Sequence, residues 1–346
     1  MAEGKLAKLI AEDGLSGVTS NPTIFQKAFT GSKDYDAAIA RLTRDGKTSA
    51  QIFDALSIED IQTACDQFRS VFDRTQGADG FVSLEVNPHL ARETKGTLEE
   101  ARRLFRAVNR PNVMIKIPGT QEGLSAIEQA LGDGININIT LIFSLQRYQE
   151  VMDAWLAGLD RLSAKGGKLS SVSSVASFFV SRVDTLIDGL LEKQKPAGYE
   201  ALLGKAAIAN AQLAYAMFLK VKNSTRYQAL AAKGARVQRP LWASTSTKNP
   251  KYRDVIYVEE LIGAETVNTL PLATIEAARD HARVRAALPG DTAAAQKVVQ
   301  DLGKAGISMD QVTRQLEEDG LKLFSNSYDD LIKGLEQKKE ALKVGA

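Results

Sequence analysis

One lysine, Lys116, lies inside a run of aliphatic residues, in the stretch RPNVMIKIPGT at positions 110–120. Such a run is typical of a parallel strand that helices cover on both faces. Burial disfavours the charged form of an amine, and a neutral amine is a nucleophile for a ketone or an aldehyde. The alternative is an edge strand, where a lysine reaches water and protects the edge from pairing. We expect the buried arrangement, with Lys116 forming a Schiff base.

A second unusual residue is Glu85, the only acid in the stretch FVSLEVNP at positions 81–88. A carboxylate one strand away from Lys116 could relay protons through a water molecule while an imine forms. The alternative is a solvated strand end whose carboxylate pairs with a surface base. We expect the relay, with both side chains directed toward the same cavity.

Neutral polar residues also lie within predicted strands or just after them. In the stretch INIT at positions 137–140, Asn138 and Thr140 are two residues apart and therefore share one face of a strand. Asn21 lies just past another strand, although Asn-Pro is also an ordinary turn signal. Neutral groups that form hydrogen bonds suit a polyhydroxylated substrate.

In each of two segments, residues with hydroxyl side chains are followed by a positively charged residue. ASFFVSR at 176–182 ends in Arg182, and WASTSTK at 242–248 contains Ser244 and ends in Lys248. Serine hydroxyls and backbone amides that open a helix bind phosphate well. A helix cap beside a surface base is the alternative for either segment alone. Together the two segments favour a phosphate site.

The elements that must position these residues alternate between short β-rich runs and longer stretches with helical spacing. This alternation predicts parallel strands joined by crossover helices. The strands are predicted at 15–20, 81–86, 112–117, 135–140, 173–178, 240–245 and 265–270. Amphipathic helices are predicted at 97–109, 144–162 and 177–194.

A closed (β/α)8 barrel and an open doubly wound sheet both fit this alternation. An open sheet usually places its site at one switch point, marked by a glycine-rich turn of a kind that this sequence lacks. A barrel gathers its site from the carboxyl ends of many strands. Polar residues follow several predicted strands here, namely Thr19, Ser20, Asn21, Ser83, Glu85, Lys116, Asn138, Thr140, Ser177, Ser244 to Thr247, and Asn268. We therefore predict an α/β fold of the (β/α)8 TIM barrel class, with seven strands recognisable.

Composition restricts the function further. The 346 residues carry 44 Lys and Arg against 42 Asp and Glu, a balance that argues against an electrostatic grip on nucleic acid or a membrane. The single cysteine, Cys65, is expected to pack in a helix, and His89 and His281 are expected on surface helices. We expect no metal and no cofactor. Since no signal peptide or long apolar run is recognisable, we expect a cytoplasmic protein.

The chain is predicted to form one barrel domain over residues 1–346. Helical inserts are expected near 22–80 and 182–239, and a helical carboxy-terminal segment at 291–346. Within that segment, Ser308 is expected to cap a helix. These additional helices could support a homodimer interface.

Taken together, several stretches resemble the transaldolases of the longer bacterial subgroup, from Gly4 to the carboxy terminus. The stretches are GVTSNPTIF, SLEVNPHLARETKGTLEEARRL, NVMIKIPGT, GININITLIFSLQRY, SVASFFVSRVDTLID and LWASTSTKNP. The resemblance implies an enzyme of the pentose phosphate pathway that works without a metal. It would move a dihydroxyacetone unit from sedoheptulose 7-phosphate to glyceraldehyde 3-phosphate, giving erythrose 4-phosphate and fructose 6-phosphate.

The resemblance also implies roles for single residues. The imine lysine of the family falls on Lys116, the acid of its water relay on Glu85, and the threonine that positions the catalytic water on Thr140. Groups that hold the three-carbon unit fall on Asn21, Asn138 and Ser177, and the phosphate-binding arginine falls on Arg182. Thr19 and Ser83 are expected to line the same substrate site, and Ser244 and Lys248 are candidates for the second phosphate group.

One feature of the family is not recognisable. Its relatives normally begin with a strand that ends in an aspartate, which protonates and deprotonates the substrate hydroxyl. Asp13 is no replacement, because it precedes the strand at 15–20 and should lie at the opposite face of the barrel. We expect the strand to be missing and the activity to be weakened, since loss of a positioned acid–base group costs about 10²- to 10⁴-fold in rate.

Two other functions remain open on the sequence alone. One is a fructose-6-phosphate aldolase, which would release free dihydroxyacetone through the same imine. The long helical inserts favour transfer instead. The other is a sugar-phosphate-binding protein without catalysis, which a missing aspartate would permit.

Overall fold

A seven-stranded parallel sheet forms the centre of the structure, a computed structural model that describes residues 4–344. The strands follow one another in chain order, so every connection is a crossover to the next strand. They are β1 Gly17–Thr19, β2 Phe81–Glu85, β3 Val113–Pro118, β4 Ile137–Ile142, β5 Ser174–Phe179, β6 Arg239–Ala243 and β7 Val267–Asn268. The α/β class and all seven predicted strands are confirmed.

Helices surround the sheet and supply most of the chain. They are α1 Lys5–Glu12, α2 Pro22–Gly31, α3 Asp36–Arg44, α4 Ser49–Gln67, α5 Arg69–Arg74, α6 Thr94–Val108, α7 Gln121–Gly132, α8 Leu145–Ala164, α9 Ser181–Gln194, α10 Ala206–Lys222, α11 Thr225–Ala231, α12 Ile256–Glu259, α13 Leu272–His281, α14 Thr292–Lys304 and α15 Met309–Val344. Residues 22–80 contain α2 to α5, and residues 182–239 contain most of α9 together with α10 and α11. Positions 1–3, and positions 345 and 346 of the predicted carboxy-terminal segment, lie outside the described residues.

The helix predicted at 177–194 is wrong at its start. Residues Ser177–Phe179 belong to β5, where they pair in register with Leu241 to Ala243 of β6. The aromatic residues of this stretch suit a sheet better than the first turn of a helix. The helix α9 begins at Ser181 instead.

Side-chain alternation along the strands separates the core from the site. Leu84 and Val86 are buried among the aliphatic residues that form the hydrophobic core with the helices. Glu85 lies between them in sequence and therefore points to the other face of β2, into the interior of the curved sheet. The same rule directs Lys116 inward, because it is the register partner of Glu85 on β3.

The long helix α15 packs over the carboxyl ends of the strands. It has 36 residues and begins after a serine cap, since the Gln311 amide donates to Ser308 Oγ at 3.3 Å. Phe324, on the buried face of α15, points toward the site. Gly320 allows α15 to lie close to β4, since a Cβ atom there would lie 2.9 Å from the Leu141 side chain.

The two ends of the sheet do not pair with each other within residues 4–344. There β1 forms a ladder with β2 alone, and β7 forms one with β6 alone. Both end strands are short and only half-buried. Among these residues, no helix is both long enough and apolar enough to cross a membrane.

Candidate active site

Lys116 and Glu85 form a buried pair inside the curved sheet. The Lys116 ammonium lies 3.2 Å from Glu85 Oε2, and it also donates to the Ser20 carbonyl oxygen at 3.0 Å. Only 7% of the lysine side chain and 4% of the glutamate side chain are exposed. The predicted surface alternatives for both residues are therefore wrong.

The Glu85 carboxyl is placed to exchange protons. Burial raises the pKa of this carboxyl, although the neighbouring Lys116 ammonium acts in the opposite direction. Its second oxygen, Oε1, has no hydrogen-bond partner among the described residues. A carboxyl with a raised pKa and a free oxygen can accept a proton from the lysine and pass it on.

Thr140 supplies another buried oxygen without a partner. The residue is 1% exposed, and its Oγ1 forms no hydrogen bond within the described chain. The next residue, Leu141, has φ 60°, and the register between β4 and β5 shifts between Ile139 and Ile142. A bulge of this kind redirects side chains, and backbone strain of this kind is common at functional sites.

A chain of neutral hydrogen bonds crosses the interior beside the lysine. Asn138 donates to Ser83 Oγ at 3.0 Å and accepts from Ser177 Oγ at 2.7 Å. All three residues are buried. The amide of Asn138 is thereby held in one orientation between β2 and β5.

Arg182 lies at the start of α9, and its guanidinium forms no ion pair or side-chain hydrogen bond among the described residues. Its guanidinium lies 5.4 Å from the centre of the Phe179 ring, and burial lowers its pKa while Asp319 on α15 raises it. Guanidinium groups stay protonated in proteins, so Arg182 offers a partly buried, unpaired positive charge. This arrangement suits an anionic ligand.

Ser244 and Lys248 lie on the segment that follows β6, and Ser244 contacts the first turn of α9, which carries Arg182. Ser244 has φ 56°, and its hydroxyl lies 3.0 Å from that of Ser181. The Lys248 ammonium is exposed and donates to Ser246 Oγ at 2.5 Å. The structure thus brings the two predicted phosphate segments together at one face of the sheet.

The remaining predicted residues lie at the end of β1. Thr19 is the register partner of Ser83 and faces the same interior. Asn21 caps α2, because its side-chain oxygen accepts from the Ile24 amide at 2.9 Å. The turn and cap role that Asn-Pro signals is therefore present, and only the amide nitrogen of Asn21 remains for a ligand.

Two contacts of Lys116 were not foreseen. The Ser20 carbonyl accepts from its ammonium, and the Phe324 ring of α15 has its centre 5.9 Å away. The sequence marks Ser20 as a strand end, but residue type does not reveal that its backbone carbonyl accepts from the lysine. No local pattern links Phe324 to the lysine, because that contact joins two distant parts of the chain.

A cavity of about 270 Å³ borders Glu85. Its wall includes Asn21, Asn87, Arg103 and Tyr328. The cavity is large enough for water molecules next to the carboxylate, but Lys116 does not line it. We therefore place the site by the lysine pair and not by this cavity.

Cys65, His89 and His281 lie in surroundings typical of packing or surface residues. Cys65 is fully buried in α4, and burial raises its pKa to about 12. His89 and His281 are exposed and contact Asp329 and Asp254, respectively. Within residues 4–344, no group of three or more His, Cys, Asp or Glu side chains is arranged to hold a metal ion.

Asp13 ends α1 ahead of β1 and pairs with Arg279 of α13. It is thus held at the amino-terminal end of the strand, as predicted, and not among the site residues.

Comparison with known proteins gives one consistent result. Residues 2–335 match the family model described as transaldolase/fructose-6-phosphate aldolase. The chain is 48% identical over 341 residues to a transaldolase of Saccharopolyspora erythraea, a match that covers 98% of this chain and 92% of that protein. It is 45% identical over 349 residues to a transaldolase of Trichodesmium erythraeum, with shares of 98% and 92%. A transaldolase of Mycobacterium leprae is 45% identical over 344 residues, with shares of 99% and 92%.

Proposed function

The chain belongs to the transaldolase/fructose-6-phosphate aldolase family, and we propose that it acts as a transaldolase of the pentose phosphate pathway. Its donor would be sedoheptulose 7-phosphate and its acceptor glyceraldehyde 3-phosphate. The observation that supports this function best is the buried pair of Lys116 and Glu85, since a lysine in this position can form an imine with a sugar ketone.

The reaction begins when Lys116 transfers a proton to Glu85. The neutral amine then attacks the ketone carbon, and the oxygen leaves as water after it is protonated from the Glu85 side. A water molecule held between Glu85 Oε1 and Thr140 Oγ1 would carry these protons, because both oxygens are buried and otherwise unpartnered. The same groups reverse their roles when the product imine is hydrolysed.

Cleavage of the carbon–carbon bond releases an aldehyde and leaves the three-carbon unit on Lys116 as an enamine. The enamine carbon attacks the acceptor aldehyde, and the new bond restores the imine. Asn138, Ser177, Ser83, Thr19 and the amide nitrogen of Asn21 would hold the hydroxyls of this unit. Their fixed orientations support such a role, since a preorganised group loses little freedom when a substrate binds.

The phosphate group of each sugar would bind between α9 and the segment after β6. Arg182 would supply the main positive charge, with Ser244 and Lys248 on the opposite side. The unpaired guanidinium of Arg182 supports this assignment.

Three broader properties are also proposals. We propose one domain over residues 1–346, because a single hydrophobic cluster connects the strands with helices from α2 to α15. A cytoplasmic location and a homodimer are proposed as well. Sedimentation analysis of the purified protein would test the dimer.

Reduction with borohydride tests the central proposal. With fructose 6-phosphate present, the protein should gain the mass of one reduced three-carbon unit, and peptide mapping should place it on Lys116. Lys116→Ala should gain nothing, whereas Lys165→Ala, which removes a surface lysine, should be labelled normally. EDTA should leave the labelling unchanged, because the imine itself activates the carbonyl. A label on another lysine would refute the assignment.

The family description also names fructose-6-phosphate aldolase, so simple cleavage is the second candidate. The two activities differ in whether water or an aldehyde removes the three-carbon unit. With fructose 6-phosphate alone, a transaldolase should release little free dihydroxyacetone. Steady release at the rate of the transfer reaction would favour the aldolase.

A further inference from the structure

Two buried carboxylates on α9 face away from the lysine pair, and the proposed mechanism does not use them. Asp184 is 1% exposed and Asp188 is 6% exposed. They are four residues apart and therefore share one face of the helix. The same helix carries Arg182 in its first turn.

Each carboxylate has the same two kinds of partner, one backbone amide and one tyrosine hydroxyl. Asp188 accepts from the Gly204 amide at 3.0 Å and from the Tyr252 hydroxyl at 2.7 Å. Asp184 accepts from the Ala207 amide at 2.7 Å and from the Tyr257 hydroxyl at 2.7 Å. Each carboxylate thus joins the start of α10 to the segment that follows β6.

The contact around Tyr252 is closely fitted. Gly204 has φ 67°, and a Cβ atom on it would lie 2.8 Å from the Tyr252 ring. A larger residue would therefore push the ring away from Asp188. Charge-assisted hydrogen bonds of this kind are stronger than those between neutral groups, so they hold the tyrosines firmly.

The segment between β6 and the two tyrosines contains Ser244 and Lys248, the residues proposed to bind phosphate together with Arg182. At its start, the Ser181 amide donates to the Ser244 carbonyl at 3.0 Å, so the segment is attached to the first turn of α9. At its far end, the segment is attached to the next two turns of α9 by the hydrogen bonds of Tyr252 and Tyr257. Lys248 lies between these attachments, on the segment itself.

We propose that the Asp188–Tyr252 and Asp184–Tyr257 pairs are positioning groups, which hold Lys248 opposite Arg182 so that both cations bind the phosphate of the sugar. The inference rests on the proposed function, because it assigns the phosphate to these cations. Neither pair touches the substrate. Their loss should therefore weaken binding of phosphorylated sugars and leave the chemistry at Lys116 intact.

The test compares acceptors with and without phosphate. Tyr252→Phe should lower kcat/KM for erythrose 4-phosphate by about tenfold, the effect of losing one buried hydrogen bond to a charged group. It should leave kcat/KM for erythrose unchanged. The inhibition constant of inorganic phosphate should rise by the same factor. Tyr257→Phe should act in the same direction, and provides a second variant if either one folds poorly.

Two comparisons separate positioning from a general effect on folding. Tyr215→Phe removes a hydroxyl that donates to the Ala264 carbonyl at 3.1 Å, and it should alter none of these values. In a Lys248→Ala background, Tyr252→Phe should have no further effect. Equal losses with both acceptors, or losses that simply add to that of Lys248→Ala, would overturn the inference.

The two proposals can fail separately. Borohydride with dihydroxyacetone, which has no phosphate, should label Lys116 equally in the wild type and in Tyr252→Phe. No label in the wild type would refute the lysine mechanism. Normal labelling together with an unchanged kcat/KM for erythrose 4-phosphate in the variant would refute the positioning role alone.

Discussion

Glu85 and Lys116 are register partners on β2 and β3, and the carboxylate of one lies 3.2 Å from the ammonium of the other. Transfer of one proton converts this buried ion pair into a neutral acid and a neutral amine. Because no net charge is created, the low-polarity surroundings oppose this transfer less than they oppose the loss of a proton to water. The pair can thus provide a nucleophile at a buried position.

Replacing Glu85 with glutamine should remove the proton acceptor. We expect kcat to fall by about 10²- to 10⁴-fold. Since burial raises the pKa of Glu85, the wild-type rate should decline on acidification at a pH above the ordinary carboxyl value of 4.5. This decline should be absent in Glu85→Gln, while Glu99→Gln on the exposed surface should keep it. A pH profile of kcat for the three proteins measures the difference, and an unaltered profile in Glu85→Gln would contradict the relay.

Thr140→Val keeps the shape of the side chain and removes the hydroxyl. We expect kcat to fall by about 10- to 100-fold, because the water proposed to bridge Thr140 and Glu85 would lose one anchor. The free energy of unfolding should stay equal or rise, because the lost hydroxyl is buried and unpartnered. Steady-state rates and urea unfolding measure both effects. A stable variant with the full wild-type rate would exclude Thr140 from the mechanism.

Arg182→Ala should affect phosphorylated substrates selectively. We expect kcat/KM for fructose 6-phosphate to fall by at least about 10²-fold, the effect of losing a hydrogen-bonded charge pair. Labelling of Lys116 with dihydroxyacetone and borohydride should proceed normally. Stability should change little, because the guanidinium forms no ion pair among the described residues. Equal loss of both activities would place Arg182 outside the phosphate site.

Phe324→Ala should open the site to water, because the ring covers the Lys116 ammonium. Water would then compete with the aldehyde for the three-carbon unit. We expect release of free dihydroxyacetone, relative to transfer, to rise several-fold. Leu323→Ala is a matched control, because Leu323 precedes Phe324 on the same helix and is 45% exposed. An unchanged ratio in Phe324→Ala would show that the ring does not exclude water.

Asp184 should make stability depend on pH. Burial raises its pKa from 3.8 to about 6, so between these values the folded protein binds more protons than the unfolded chain. The free energy of unfolding should therefore decrease as pH rises through this range, by about 3 kcal/mol from this group. Asp184→Asn should remove that part of the slope. Urea unfolding at several pH values compares the two slopes, and identical slopes would contradict the expectation.

Much of the architecture could be predicted from local sequence patterns. Short β-rich runs separated by longer stretches with helical spacing predicted all seven strands. Lys116 and Glu85 were conspicuous within such runs, and the register of β2 and β3 makes them neighbours. Period-two geometry places each side chain on the inner face of its strand, and the register between the strands then brings the two together.

What the pattern could not provide depends on distant parts of the chain. The position of Phe324 over Lys116 depends on how α15 crosses the strands, and neither periodicity nor caps encode that path. The capping bond of Asn21 and the hydrogen bonds of Asn138 depend on atomic orientation, which residue type leaves open. The start of α9 was misplaced because Ser177–Phe179 fits a helical spacing as well as a strand.

The helix α15 also determines when the site can be completed during protein synthesis. It packs against helices made near the beginning of translation, as in the contact of Ser327 with Thr23. At roughly 5–20 residues per second, a ribosome needs several seconds to produce this helix after the strands have emerged. During that interval Lys116 lacks the aromatic cover of Phe324, so the lysine site is assembled only after α15 has been made.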